Sequence, residues 1–185
     1  LGLGALARGR KIAASRLFFL ITLTAAGWLA AFAAMYAAGD AATAMTLGRV
    51  GFFFGAMVPA AVFHFATEVV GRRRHYRPSI VLFWLGCAGV GAVGLTTDAV
   101  IAHVRLYAWG FYGVGRPFGG LVVLGFVAIF VASVHLFWRA YRNAEGKARE
   151  RALTLLLAFL LGILGMFDYL PSVGVDLQPI GFVAA

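Results

Sequence analysis

The polar residues of this chain are concentrated between long apolar runs, and five of these runs are complete. Each is close to the roughly 20 residues that an α-helix needs to cross a bilayer. Each is also apolar around its whole circumference, as expected of a helix embedded in lipid. The pattern therefore predicts five membrane-spanning helices, at about 17–38, 47–70, 79–95, 117–138 and 152–170.

Two shorter apolar segments stand at the ends of the chain. Residues 1–7 have the composition of the end of an earlier span, and residues 180–185 that of the start of a later one. The sequence thus predicts an all-α fold, a polytopic transmembrane helix bundle that forms one domain over residues 1–185. Its five full spans and two partial ones would belong to a parent with seven helices.

Composition supports a membrane protein over a water-soluble one. Hydrophobic residues make up 62% of the 185 residues and charged residues 12%, against about half and a quarter in soluble domains. The net charge of +9 could suggest nucleic-acid binding, but such binding needs a continuous basic face. Here the basic residues lie in short clusters between the apolar runs, so we expect a lipid bilayer and no nucleic acid as partner.

The basic clusters predict the orientation. Loops on one side of the predicted bundle hold 13 Lys and Arg residues, and the opposite loops hold 3: Arg49, Arg105 and Arg116. Because basic loops remain in the cytoplasm, the 13-residue side is predicted to be cytoplasmic. The parent's N-terminus would then be outside and its C-terminus inside.

The loop at about 96–116 is predicted to lie along the outer membrane surface and to be partly helical. It is rich in aromatic residues, which favour membrane interfaces and suit contact with small ligands. Its candidate input residues are Trp109, Tyr112 and Arg116, together with Asp168 at the outer end of the fifth span. We expect Asp168 to bond to the backbone of the following loop or to pair with Arg116. The alternative is an aromatic belt that only anchors the bundle.

Polar or helix-breaking residues inside the spans allow two readings each. His64 and His135 fall at similar depth on different predicted helices, so they could ligate a haem. Alternatively, each is a polar helix-contact residue satisfied by a neighbour. We favour this second reading, and so expect no metal or cofactor. Pro59 interrupts the second span, either as a signalling hinge or as a simple kink.

Motifs for catalysis are missing from the sequence. Residues 89–94 spell G-x-G-x-x-G, but the flanking strand, soluble helix and downstream acid of a dinucleotide site are not there. Neither a nucleophile elbow nor a P-loop is found. We therefore predict that this chain is not an enzyme, although a longer parent could be a kinase or cyclase.

Small residues predict how the helices pack. Alanines recur every four residues on one face of the first span, at Ala26, Ala30, Ala34 and Ala38. Such stripes let helices approach closely in lipid. We expect this one to pack inside the bundle, and the alternative is a seam with a second copy or another membrane protein.

Several stretches resemble one family. Residues 16–18 with Trp28, residues 58–65, and residues 107–112 followed by 115–117 resemble three of its segments. Residues 168–171, Gly174 and 179–181 resemble its Asp-to-Pro signature before the seventh helix. The chain therefore resembles the seven-helix N-terminal membrane region of bacterial histidine kinases and related signalling enzymes.

The resemblance implies a sensory region in a bacterial inner membrane. Such a region would couple an outer-side or membrane stimulus to a cytoplasmic output domain that is absent from this chain. The alternative function is a non-catalytic integral subunit of a larger respiratory or photosynthetic membrane complex, because one fold can serve several functions.

Overall fold

The computed structural model describes residues 13–164 and 171–172. These residues form helices and one two-stranded sheet, in the order α1 (Ala13–Tyr36), α2 (Ala41–Val69), α3 (Arg77–Thr96), β1 (Ile101–Tyr107), β2 (Gly110–Gly115), α4 (Pro117–Asn143) and α5 (Gly146–Leu164). The predicted partial spans at 1–7 and 180–185 lie outside the described residues.

Local chemistry sets the helix ends. The carboxylate of Asp40 caps α2 by accepting a hydrogen bond from the backbone N–H of Thr43 at 2.9 Å, which satisfies an amide that has no partner within the helix. Prolines stand in the first turns of α3 and α4, where a missing N–H costs nothing. α2 ends at Val69, and Gly71, just after its C-cap Val70, has a φ of +68°, the left-handed conformation that closes many helices.

α2 is the central helix of the bundle. It is mostly buried and packs against α1, α3 and α4, while α5 packs against α4. Two glycines allow close approach: Gly51 of α2 faces the ring of Phe32 in α1, and Gly94 of α3 faces the ring of Phe52 in α2. The core of the bundle is thus built around one helix.

The expected inward packing of the alanine stripe is wrong for most of its length. Ala26, Ala30 and Ala34 are exposed on α1. The face that α1 turns to α2 instead carries larger residues, such as Phe32 and Met35. Gly48 and Gly51 of α2 provide the space for Met35 and Phe32, so close packing here does not require small residues on α1.

By length and composition, the four helices α1 to α4 could each cross a membrane. The predicted class, a polytopic transmembrane helix bundle, is confirmed. The predicted fifth span, 152–170, overlaps α5, and its last six residues lie outside the described part. The G-x-G-x-x-G segment lies within α3 and does not form the turn that a phosphate site would need.

The loop between α3 and α4 differs from the structure that the sequence predicted. It was expected to be partly helical, but it forms an antiparallel hairpin in which Tyr107 pairs with Gly110. Its residues are largely β-branched, aromatic and glycine, and the first two kinds favour strands. The aromatic content that indicated an interface therefore also favoured a hairpin.

The bundle has two distinct ends. The hairpin, the turn between α1 and α2, and residues 171–172 lie together at the hairpin end. The turn between α2 and α3 and the C-terminus of α4 border one cavity at the other end. We call this the basic end, because it carries residues Arg72, Arg73, Arg74, Arg77, Arg139 and Arg142.

Candidate functional site

Aromatic rings connect the hairpin to the end of α1. Trp109, at the hairpin turn, stacks on Tyr107 with ring centroids 4.9 Å apart. Its ring also meets Tyr36 of α1 edge-on at 5.4 Å. Tyr112 stacks on Tyr36 at 6.1 Å and meets Phe32 edge-on at 5.8 Å. Offset and edge-on pairs of this kind are attractive beyond their buried area, so the hairpin is fixed onto α1.

Polar contacts hold the same end from other directions. The Tyr107 hydroxyl donates to the carbonyl oxygen of Pro171 at 3.2 Å. Arg49 of α2 forms an ion pair with Asp98, just before the hairpin. The backbone N–H of Arg116 donates to the carbonyl of Val100 at 3.0 Å. The hairpin is therefore tied to α2, to the start of α4 and to the segment that includes Pro171.

A cavity of about 260 Å³ lies beneath the hairpin. α1 contributes Phe32 and Met35 to its wall, and α2 contributes Gly48 and Phe52. The hairpin and the start of α4 complete it with Ile101, Tyr112, Gly113, Gly115, Arg116, Pro117, Gly119, Gly120 and Val123, together with Val100 and Ser172. The wall is mainly apolar, and Arg116 is its one charged residue among those described.

This arrangement suits binding better than catalysis. The described lining residues include no carboxylate, histidine or cysteine, so none of them could act as a general base toward the Ser172 hydroxyl. An apolar wall with a few polar groups is typical of ligand pockets. The occupant that fits is a small apolar molecule, and an acidic group on it could face the Arg116 guanidinium.

The structure brings together some of the predicted input residues. Tyr112, 3% exposed, and the exposed Arg116 border the cavity. Trp109 lies one layer away, stacked on Tyr107, and its buried Nε1 has no hydrogen-bond partner among the described residues. Asp168 lies outside the described residues, so its predicted bond or pairing with Arg116 remains a prediction.

Sequence reasoning missed Tyr36, on which Trp109 and Tyr112 both pack. A signal was present, because Tyr36 stands four residues before the polar Asp40, at the depth where interfacial aromatics concentrate. The ion pair between Arg49 and Asp98 had no such signal, since the two residues are 49 positions apart.

The two intramembrane histidines do not share a site in the described structure. His64 borders a cavity between α2 and α3, whereas the exposed His135 borders a different one beside Trp138 and Arg139. His64 Nδ1 accepts a hydrogen bond from Trp84 Nε1 at 3.4 Å. A haem held by both imidazoles would have to border both, and these two cavities do not provide that arrangement.

Pro59 is buried inside α2, which continues through it to Val69. Proline has no N–H to donate to the carbonyl four residues earlier, so the helix lacks one internal bond at Gly55. Whether this position acts as a hinge remains a prediction.

Comparison with known proteins gives one match. The profile of the family described as the N-terminal 7TM region of histidine kinase matches residues 1–185. No curated protein and no solved structure matches the chain.

Proposed function

Because the chain belongs to the family of N-terminal seven-transmembrane regions of histidine kinases, a multi-pass membrane region, we propose that its hairpin end is the input site. A stimulus there would be passed through the bundle to an output domain on the cytoplasmic side. The observation that carries the proposal is the cavity beneath the hairpin, which borders α1, α2 and α4 at once.

The cavity's position supplies the physical link between input and output. A ligand shifts an equilibrium only by its differential affinity for two arrangements. Because an occupant would touch three helices and the hairpin, its affinity would change with any relative movement of these elements. Occupancy would therefore favour the arrangement in which the cavity wall fits it best, and the far ends of α2 and α4 would shift with it.

The proposed orientation of the bundle in the membrane rests on the charge of its two ends. The basic end carries arginines from two turns, and basic segments are retained on the cytoplasmic side. The hairpin end would then face outward. In a bacterial cell, this arrangement corresponds to an inner-membrane protein that samples the outer side of that membrane.

A cavity-filling substitution tests the input site. Gly120 lines the cavity, and a Cβ at this position would meet nothing within 4 Å. Gly120→Leu should therefore fill part of the space without disturbing the backbone, and change histidine autophosphorylation of the full-length kinase about threefold or more. Gly125→Leu is the matched control, since Gly125 is on the same helix, equally open and outside the cavity.

Side-chain variants at the cavity complete the test. Tyr112→Phe and Arg116→Gln should weaken the response to stimulus while the protein remains folded and inserted. Arg105→Gln, on the same hairpin but outside the cavity lining, should respond normally. If Trp109→Phe, Tyr112→Phe and Arg116→Gln all respond normally, and Gly120→Leu behaves like Gly125→Leu, the hairpin is an anchoring belt and the input proposal is wrong.

The alternative role, an integral subunit of a larger membrane complex, has one observation in its favour. The exposed alanines at 26, 30 and 34 of α1 form a surface that a helix of a second copy or another membrane protein could approach closely. Purification in a mild detergent separates the two roles. A stoichiometric foreign partner that is lost on Ala30→Leu would favour the subunit, whereas a homodimer is compatible with the sensor.

A further inference from the structure

A second cavity, of about 510 Å³, lies between α2 and α3 at the basic end. It is distinct from the cavity beneath the hairpin and independent of the input proposal. Its lining divides by chemistry: Arg73, Arg74 and Arg77 border one part, and Ile80, Val81 and Trp84 border another, with His64 on the wall. Its size falls within the roughly 300–1,000 Å³ of ligand pockets.

Every polar side chain that borders this cavity is a hydrogen-bond donor. Arg73 forms an ion pair with Glu68, with 3.4 Å between the guanidinium nitrogen and the carboxylate oxygen. Arg74 and Arg77 make no ion pair within the part of the chain described here. The bond from Trp84 uses His64 Nδ1 as acceptor, so a neutral imidazole carries its proton on Nε2. That buried Nε2–H has no acceptor among the described residues.

The N-terminus of α3 adds to the positive potential. Tyr76 stands at its N-cap and provides no side-chain cap. The first amides of a helix favour a negative charge. The net charge of the three arginines and Glu68 is positive, so an anion is the complementary partner.

The apolar part of the lining distinguishes an amphiphile from a free anion. Val81, in the lining, is 51% exposed, and Leu85, on the following turn and outside the lining, is 69% exposed. Both lie on α3, deeper in the membrane-spanning segment than Arg77. An anion that carries an acyl chain can contact both these side chains and the arginines, whereas inorganic phosphate can contact only the arginines.

We infer that this cavity binds an anionic phospholipid, with its phosphate among Arg73, Arg74 and Arg77 and its acyl chain along Val81 and Leu85. Basic pockets between transmembrane helices on the cytoplasmic side are suited to such headgroups. The site would give the bundle a contact to one leaflet of the bilayer that depends on lipid composition.

Lipid titration followed by native mass spectrometry tests this site on the full chain in a neutral detergent. Short-chain phosphatidylglycerol should bind about tenfold more tightly than phosphatidylcholine with the same chains. Arg74→Gln combined with Arg77→Gln should abolish that preference. Lys147→Gln combined with Arg151→Gln removes the same charge from exposed positions outside the lining of this cavity, and this variant should keep the preference.

Three outcomes would overturn the proposal. One is equal binding of the two lipids by the unaltered protein, and another is equal behaviour of the two double variants. The third is displacement of the lipid by inorganic phosphate at the concentration at which the lipid itself binds, which would indicate a free-anion site. If the Arg74/Arg77 double variant does not fold, the single variants and the preference of the unaltered protein decide the question.

Discussion

At the scale of single residues, Gly110 determines how closely the hairpin can approach α1. Its φ is +132°, a conformation that residues with a side chain rarely adopt. A Cβ there would lie 2.5 Å from the carbonyl oxygen of Tyr36. The packing of Trp109 and Tyr112 against Tyr36 therefore depends on the absence of a side chain at Gly110.

Gly110→Ala should lower the stability of the folded protein by about 1–3 kcal/mol, because it adds both backbone strain and a contact with backbone atoms. The measurement is thermal unfolding in detergent, followed by the fluorescence of the four tryptophans, of which Trp109 lies at the hairpin turn. Gly39→Ala is the control at the same end, since a Cβ at Gly39 meets nothing within 4 Å. Equal unfolding midpoints for the two variants would contradict the close approach.

Asp40 should make stability depend on pH. The Thr43 backbone N–H, and then its hydroxyl, donate to the carboxylate and lower the pKa of Asp40 below its ordinary value of 3.8. A lowered folded-state pKa gives stability that is present above the unfolded pKa and is lost as pH falls through the folded one.

Asp40→Asn isolates this effect, because asparagine caps a helix about as well as aspartate and does not titrate. Unfolding midpoints measured from about pH 6 to pH 3 should fall more steeply for the unaltered protein than for the variant, with the difference appearing below about pH 4. Parallel curves would show that the Asp40 carboxylate is equally solvated in both states.

At the scale of elements, the sequence predicts the positions of the helices more reliably than it predicts the segments that connect them. The predicted spans 79–95 and 117–138 fall within α3 and α4, and the span 17–38 overlaps α1 but runs past its end at Tyr36. Long apolar runs have one stable form in lipid, so their helical state is easy to predict. The predicted start of the second span at 47 was late, because α2 already begins at Ala41 and its first residues, alanines and threonines apart from Met45, are too weakly apolar to mark a span. The hairpin was missed because its pairing joins residues that no local period reveals.

The sequence also did not predict which face of each helix packs against its neighbours. The alanine stripe of α1 and the glycines of α3 have similar small side chains, yet Ala30 is exposed and Gly94 is buried against Phe52. A helix that is apolar all round gives no hydrophobic stripe by which to orient it. For the same reason the sequence did not predict the cavity beneath the hairpin, whose wall comes from three helices, both strands of the hairpin and Ser172.

The contact between α1 and α2 depends on Gly51. A Cβ there would lie 2.4 Å from Phe32 Cδ1, and Phe32 is itself packed against Trp28 and Tyr112. Gly51→Ala should therefore destabilise the bundle by about 1–3 kcal/mol through overpacking. Thermal unfolding in lipid nanodiscs measures it.

Gly86→Ala is the matched control for Gly51→Ala. Gly86 is in α3, and a Cβ there meets nothing within 4 Å. Because alanine favours a helix over glycine by about 1 kcal/mol, this variant should be as stable as the unaltered protein or more so. A loss of stability at Gly86 equal to that at Gly51 would show that neither effect comes from the packing of α1 on α2.

At the scale of the whole molecule, the fold groups the arginines that the sequence had assigned to one side. Arg72, after α2, and Asn143, at the end of α4, border the same cavity. The turns after α2 and α4 therefore lie at one end of the bundle, and the hairpin lies at the other. A bundle of this shape could be inserted in a membrane with either end outward, so the charge of the two ends is what distinguishes the two orientations.

Reporter fusions should show that the basic end is cytoplasmic. Green fluorescent protein fused after Arg74 or Lys147 should fluoresce, and alkaline phosphatase fused near Tyr112 should be active, because basic turns resist translocation. Replacing Arg72, Arg73, Arg74 and Arg77 with glutamine should weaken this orientation, whereas replacing Arg105 and Arg116 should strengthen it or leave it unchanged. Active phosphatase after Arg74, with inactive phosphatase near Tyr112, would invert the bundle. The cavity beneath the hairpin would then face the cytoplasm, and it could not receive an outer-side stimulus.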